Sequence, residues 1–135
     1  MSAATGSKPS VRPYVLSKQE INALPLEDFS DKTKATGGWR NIFSSPDTPT
    51  DSLTIGIANF PPRTKSQESF EALHRHKQAE FYYVLSGQAI VKIDGVDYEV
   101  ASGHALFIPG DAEHGLWNTS YEEEEVVYRF TEVEE

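Results

Sequence analysis

The chain contains no cysteine. That absence removes disulfides, thiolate metal sites and a cysteine nucleophile from consideration, since each needs a sulfur the sequence does not supply. It also fits a reducing compartment, and the cytoplasm is the expected location. Basic residues are scarce: 12 Lys and Arg stand against 21 Asp and Glu, a formal net charge of -9. Nucleic acids and anionic membranes both select basic surfaces, so neither is an expected partner. No stretch is apolar for long enough to span a bilayer. The N-terminal run MSAATGSKPSVRPY lacks the apolar centre of a secretory signal. Asn118-Thr119-Ser120 matches a glycosylation acceptor, which without secretion is expected to stay idle. A second helical pattern after residue 25 is missing, and so is any repeat of solenoid period.

What remains is a chain of 135 residues, 38% hydrophobic and 11% aromatic, enough for one domain with one core. Residues 1–13, rich in Ser, Ala, Gly and Pro, read as a mobile tail. Ser17 with Glu20 forms a capping box and Pro25 stops the run, which predicts a short helix over 18–24. Residues 14–52 thus read as a helix-and-loop preamble, with Trp39, Ile42 and Phe43 marking a short strand inside it. Its stretch 30–52 is long and irregular for a small domain and is a candidate lid.

From residue 53 the period changes to that of strands. LTIGIANF alternates; 63–70 is polar and reads as a loop; EFYYVLSG is a strand closed by Gly87. AIVKIDGVDYEV is a hairpin turning at Asp94-Gly95. HALFIP and AEHGLWN follow, separated by the turn Pro109-Gly110-Asp111, and VVYRF ends the pattern. In that last strand Tyr128 and Phe130 read as core. At least seven short strands and one short helix predict a single all-β sandwich or barrel over 53–131, followed by an acidic end at 132–135. The EEEE run at 122–125 reads as solvated.

Within this frame four residues can each offer a metal an electron pair: His74, His76, Glu80 and His114. His74 and His76 are two apart, which places them on one face of an extended segment. Glu80 keeps that parity, and Tyr82 and Val84 share its face. His114, Leu116 and Asn118 share a face in the later segment. If both faces turn inward, three imidazoles and a carboxylate meet inside the barrel, in a wall formed by Val84, Phe107 and Leu116. Such a set suits one divalent transition ion, Zn, Fe, Ni, Cu or Mn, and leaves positions open for a small ligand. A cation nearby would favour the Tyr82 phenolate and make it a general base. Arg40, Arg63, Arg75 and Arg129 are candidate anchors for a substrate carboxylate. Phe81, Tyr83 and Trp117 have the opposite parity and are expected to face outward, and His104 falls outside the ligand spacing.

These motifs resemble the cupin superfamily. His74, His76, Glu80 and Gly87 stand at the spacing of its first motif, with Glu68 where the opening glycine usually is. Gly103, Pro109, His114 and Asn118 stand at the spacing of its second, with Asp111 in place of the turn glycine. Asp tolerates the left-handed conformation such a turn needs. The resemblance implies a jelly-roll barrel, the same four ligands, a turn-bracing role for Asn118 and a homodimer. A finer likeness lies in H-x-H-x3-E-x-Y followed by AEH, which is similar to small cupin lyases that cleave dimethylsulfoniopropionate. In those a tyrosine two residues after the glutamate removes the α-proton, here Tyr82. The expected function is therefore a metal-dependent lyase, decarboxylase or isomerase working on a small carboxylate-bearing metabolite. Two alternatives stand beside it: an iron-dependent dioxygenase, and a small-molecule-binding cupin without chemistry. The lack of cysteine weakens one sub-case of the former, the thiol dioxygenases with a cysteine–tyrosine crosslink.

Overall fold

A computed structural model describes residues 10–28, 36–44, 48–50, 53–65, 67–119 and 124–131, with residue 28 and the last segment described by backbone alone. Residues 1–9 of the expected tail over 1–13, the acidic end at 132–135 and the side chains of Tyr128 and Phe130 lie outside this description. The described residues form one helix, α1 (Lys18–Asn22), and ten strands. These are β1 (Glu27–Asp28), β2 (Gly38–Ser44), β3 (Leu53–Phe60), β4 (Ser69–His74), β5 (Glu80–Ser86), β6 (Gln88–Ile93), β7 (Val96–Ala101), β8 (Ala105–Ile108), β9 (His114–Asn118) and β10 (Glu124–Thr131). They build two sheets, in the orders β1-β2-β3-β10-β5-β8 and β4-β9-β6-β7. Every pairing is antiparallel. No helix among the described residues is long and apolar enough to cross a membrane.

Local chemistry accounts for the elements. Ser17 Oγ accepts from the Glu20 amide and Glu20 Oε1 accepts from the Ser17 amide, both at 3.0 Å, so the capping box forms as expected. These hydrogen bonds hold the Glu20 carboxyl below its ordinary value. The helix ends at Asn22, two residues short of the expected end. In the β6–β7 hairpin Asp94 (φ 47°) and Gly95 (φ 83°) both take positive φ, as a two-residue primed turn demands. Apolar alternation then sets the core: Phe60, Tyr82, Val84, Val91, Ile108 and Leu116 are at most 1% exposed. Asn118 Nδ2 donates to the Phe60 and Pro61 carbonyls at 3.2 and 3.1 Å, tying β9 of one sheet to the end of β3 in the other.

Two expectations change. The sheet starts well before residue 53, because β2 pairs with β3 from Gly38 to Ser44. That part of the candidate lid is sheet; 29–35, 45–47 and 51–52 lie outside the described residues. Residues 69 and 70 belong to β4 rather than to a loop. The inward positions of β4 are polar, so the apolar alternation that marks a strand is absent there. Ser69 is 2% exposed and accepts from Thr36 Oγ1 at 3.3 Å, while the Phe70 amide donates to the same Thr36 oxygen at 2.9 Å.

Candidate metal centre

The site is assembled by a defect in a ladder. β4 pairs with β9 through Ser69↔Asn118, Phe70↔Trp117 and Glu71↔Leu116, and then through His74↔His114. Three residues on β4 thus span what two span on β9. This β-bulge adds one residue to β4 and moves the inward position from Leu73 to His74. Leu73 is left 42% exposed, while His74 comes to rest 4.3 Å, ring to ring, from His114.

The strand ends at His74, so His76 does not share an extended face with it, as the spacing alone suggested. His76 sits in the following loop, and two contacts hold it there. Its carbonyl accepts from the Asp111 amide at 2.8 Å, and its ring Nδ1 lies 2.9 Å from the Gln78 carbonyl. Asp111 takes φ 65°, so aspartate does adopt the left-handed turn expected of it. Beyond the loop, β5 starts at Glu80 and alternates as expected, with Glu80, Tyr82 and Val84 buried and Phe81, Tyr83 and Leu85 exposed.

The four side chains converge. Their ligating atoms all lie within 4.8 Å of one another. Glu80 Oε1 is 2.9 Å from His76 Nε2 and 2.6 Å from His114 Nε2. The Glu80 side chain is 2% exposed and that of His114 1%, while His76 is 24% exposed and closes the outer side.

Each imidazole is oriented the same way. Nδ1 of His74 lies 2.8 Å from the Ala72 carbonyl, and Nδ1 of His114 lies 2.9 Å from the Ala112 carbonyl, as Nδ1 of His76 does from Gln78. A carbonyl only accepts, so each Nδ1 carries the proton and each Nε2 presents a lone pair. Three lone pairs and a carboxylate oxygen facing one point are mutually repulsive unless a proton or a cation lies among them. The donor set therefore fits a divalent ion of the imidazole-and-carboxylate-binding kind.

In the protein without an ion the same surroundings favour a proton on His114. Burial by itself pushes the His114 imidazole down. The hydrogen bond to Glu80, the Ala112 carbonyl and the charges of Glu80 and Glu71 outweigh burial and leave the group above its ordinary value. Glu71 was not anticipated from sequence; it pairs with Leu116 on the inward face of β4 and adds negative potential beside His114. The three orienting carbonyls were equally invisible, because main-chain oxygens have no residue signature.

The remaining candidates divide. Val84 and Leu116 are buried, 1% and 0% exposed, in the core beneath the site. Phe107 is not part of any inner wall: it is 64% exposed. The register explains the error, for β8 pairs Ile108 with Glu80 and Phe107 with Phe81, so Leu106 and Ile108 share the inward parity. Tyr82 is 1% exposed on the same strand face as Glu80, about 7 Å further along. Arg40 donates to the Leu24 carbonyl at 3.1 Å and Arg75 to the Asp111 carbonyl at 3.0 Å, so both are occupied in structure. Arg63 is exposed, and the Arg129 side chain lies outside the described residues. His104 is exposed and its Nδ1 accepts from the Ala101 amide at 3.0 Å, a turn contact away from the cluster. Trp117 is partly buried.

With two sheets enclosing four such donors, the chain belongs to the cupin family, whose domain matches residues 56–128. Among curated proteins it is similar to the dimethylsulfoniopropionate lyase DddW of Ruegeria pomeroyi, 36% identical over 116 residues that cover 85% of this chain and 73% of that one. It is also similar to the protein SchB of Streptomyces halstedii, at 25% identity over 84% of this chain and 79% of that one. Among solved structures a predicted oxalate decarboxylase from Thermotoga maritima superposes with a TM-score of 0.73 at 19% identity, covering 84% of this chain and 96% of that one, a likeness of fold.

Proposed function

We propose that the chain is a metal-dependent lyase that removes the α-proton of a small β-substituted carboxylate, with dimethylsulfoniopropionate as the first substrate to test. The observation that carries the reading is the set of three imidazoles whose Nδ1 atoms are held by carbonyls, so that their Nε2 atoms join Glu80 on the strand face that also bears Tyr82. The likeness to DddW supports the choice of substrate. His74, His76, Glu80 and His114 would hold one divalent ion per chain, from among Fe, Zn, Mn, Ni and Cu. Bound there, the ion supplies positive charge to orient a carboxylate and to acidify the adjacent C–H bond.

The chain does the rest. Tyr82, as phenolate, takes the proton from Cα onto its hydroxyl oxygen. The C–H electron pair becomes the Cα–Cβ double bond, and the Cβ–S bond breaks with its pair on sulfur. The products are acrylate and neutral dimethyl sulfide, with the proton left on Tyr82. The apolar residues beneath the site keep water from competing for that base.

The test is headspace dimethyl sulfide from purified protein under argon, beside elemental analysis. About one ion per chain is expected, lost in His76→Ala. Tyr82→Phe should keep the ion and lose about 100–10,000-fold in rate. Full activity in Tyr82→Phe overturns the base, and turnover that requires dioxygen overturns the lyase in favour of an oxygenase. Tight retention of the substrate without conversion would leave a binding protein.

A further inference from the structure

We propose that Glu71 is a positioning residue of the metal centre, one that acts on a bound cation through its negative charge and not as a ligand. The inward residues of the four-stranded sheet fall into rows. One row runs His74, His114 and Ile93 across β4, β9 and β6, and the next runs Glu71, Leu116 and Val91 across the same strands. Glu71 is therefore the inward neighbour of His74 across the bulge and the diagonal neighbour of His114. Backbones in that diagonal relation stand roughly 7 Å apart, within reach of a long side chain. Leu116 and Val91, its companions in the row, are both 0% exposed. Glu71 is itself partly buried, and its Oε1 is closed to solvent. The four donors lie within 4.8 Å of one another, and Glu71 is not among them.

A carboxylate in an apolar row costs free energy, and that cost is offset where a positive charge is held nearby. Burial pushes the His114 imidazole down, and the charge of Glu71 is among the influences that outweigh it. Negative potential of that kind favours a cation among the rings for the same reason that it favours a proton on one of them. Among the described residues no lysine or arginine is buried. Imidazoles that present Nε2 are neutral. The charges to be set against the two of a divalent ion are then those of Glu80 and Glu71.

With Glu80 alone the loaded centre would carry one net positive charge; with Glu71 it carries none. Two effects of opposite sign follow. The cation is held more tightly, and an anion that approaches it is held less tightly, because charges inside a protein act over several Å with little screening. The inference rests on the reading of the four donors as a metal centre. It bears on the reaction proposed above, whose product acrylate is an anion that must leave.

Two titrations of the full chain test this: calorimetry of zinc into chelator-stripped protein, and azide into cobalt-loaded protein followed by visible absorption. Glu71→Gln removes the charge and nearly keeps the shape. It should weaken zinc by about tenfold and tighten azide by about threefold. Glu71→Asp keeps the charge and should return both constants most of the way to those of the unaltered chain. A residue that merely packs the bulge would weaken both ligands or neither, so shifts in opposite directions are the signature. Zinc affinity that does not fall in Glu71→Gln, or azide affinity that does not rise, overturns the inference and leaves the metal centre standing. So does a Glu71→Asp variant that behaves as Glu71→Gln does. An unaltered chain that takes up no zinc overturns the metal centre and this inference with it.

Discussion

A histidine is informative at this site only through its two nitrogens taken separately. Where Nδ1 is held by a carbonyl, Nε2 becomes an obligatory acceptor, and three such rings aimed at one buried carboxylate create a demand for positive charge. The demand is unequal across the site. His114 is 1% exposed and His76 24%. In metal-stripped protein, His114→Ala leaves the buried Glu80 carboxylate without one of its two imidazole neighbours and should cost about 1–3 kcal/mol. His76→Ala should cost less, because water reaches its place; urea melts of the two variants compare them. The raised His114 value also fixes a pH dependence. In stripped protein the stability contributed by the His114 proton is complete below the ordinary histidine value and is lost as pH rises through the raised folded value. An added ion competes with that proton, so its affinity should fall as pH drops through the same value. Melting temperatures against pH, with chelator and with metal, should therefore slope in opposite directions.

At the scale of elements, strand parity and the spacing of the histidines were legible, but the route by which they meet was not. β5 and the β6–β7 hairpin read directly because apolar alternation and Asp-Gly chemistry are local signals. β4 did not, because its inward residues are Ser69, Glu71 and His74, polar for the sake of Thr36 and of the site itself. Nor does any residue announce the bulge that substitutes His74 for Leu73. Phe107 was misassigned for a related reason: a strand of four residues offers too little alternation to fix its inner face, and the pairing with β5 decides it. Gly115 exposes the mechanical tolerance of this joint. A Cβ there would lie 2.8 Å from the Glu71 carbonyl oxygen and 3.1 Å from the Leu73 amide nitrogen, against backbone that flanks the bulge. Gly115→Ala should therefore destabilise by about 1–3 kcal/mol and push His74 out of line. Calorimetric metal titration should show the accompanying loss of metal affinity.

Across the molecule, the site spans both sheets. His74 and His114 come from β4 and β9 of one sheet, while Glu80 comes from β5 of the other. An ion held by all of them is a cross-link between layers. At a hundred times its Kd an ion adds about 2.7 kcal/mol to folding stability. For a chain of this length that corresponds to a rise of about 10 °C in melting temperature. Scanning calorimetry with and without chelator reads it, and a chelator-insensitive melt would remove the ion from the fold's energetics. The all-strand architecture was legible in the chain as a whole from turn residues and alternation. The fusion of β1 and β2 to the larger sheet was not, because Gly38–Ser44 carries no regular alternation and is only partly buried after its first residue.

The imidazoles are steered by the peptide oxygens of Ala72, Gln78 and Ala112. A point substitution can delete a side chain but not a peptide bond. The chelating end of this barrel is thus insulated from most genetic change around it. Neighbouring wall residues are free to vary with whatever molecule must be accommodated, and the tautomers survive the variation. A scaffold with that property can change its cargo without rebuilding its anchor.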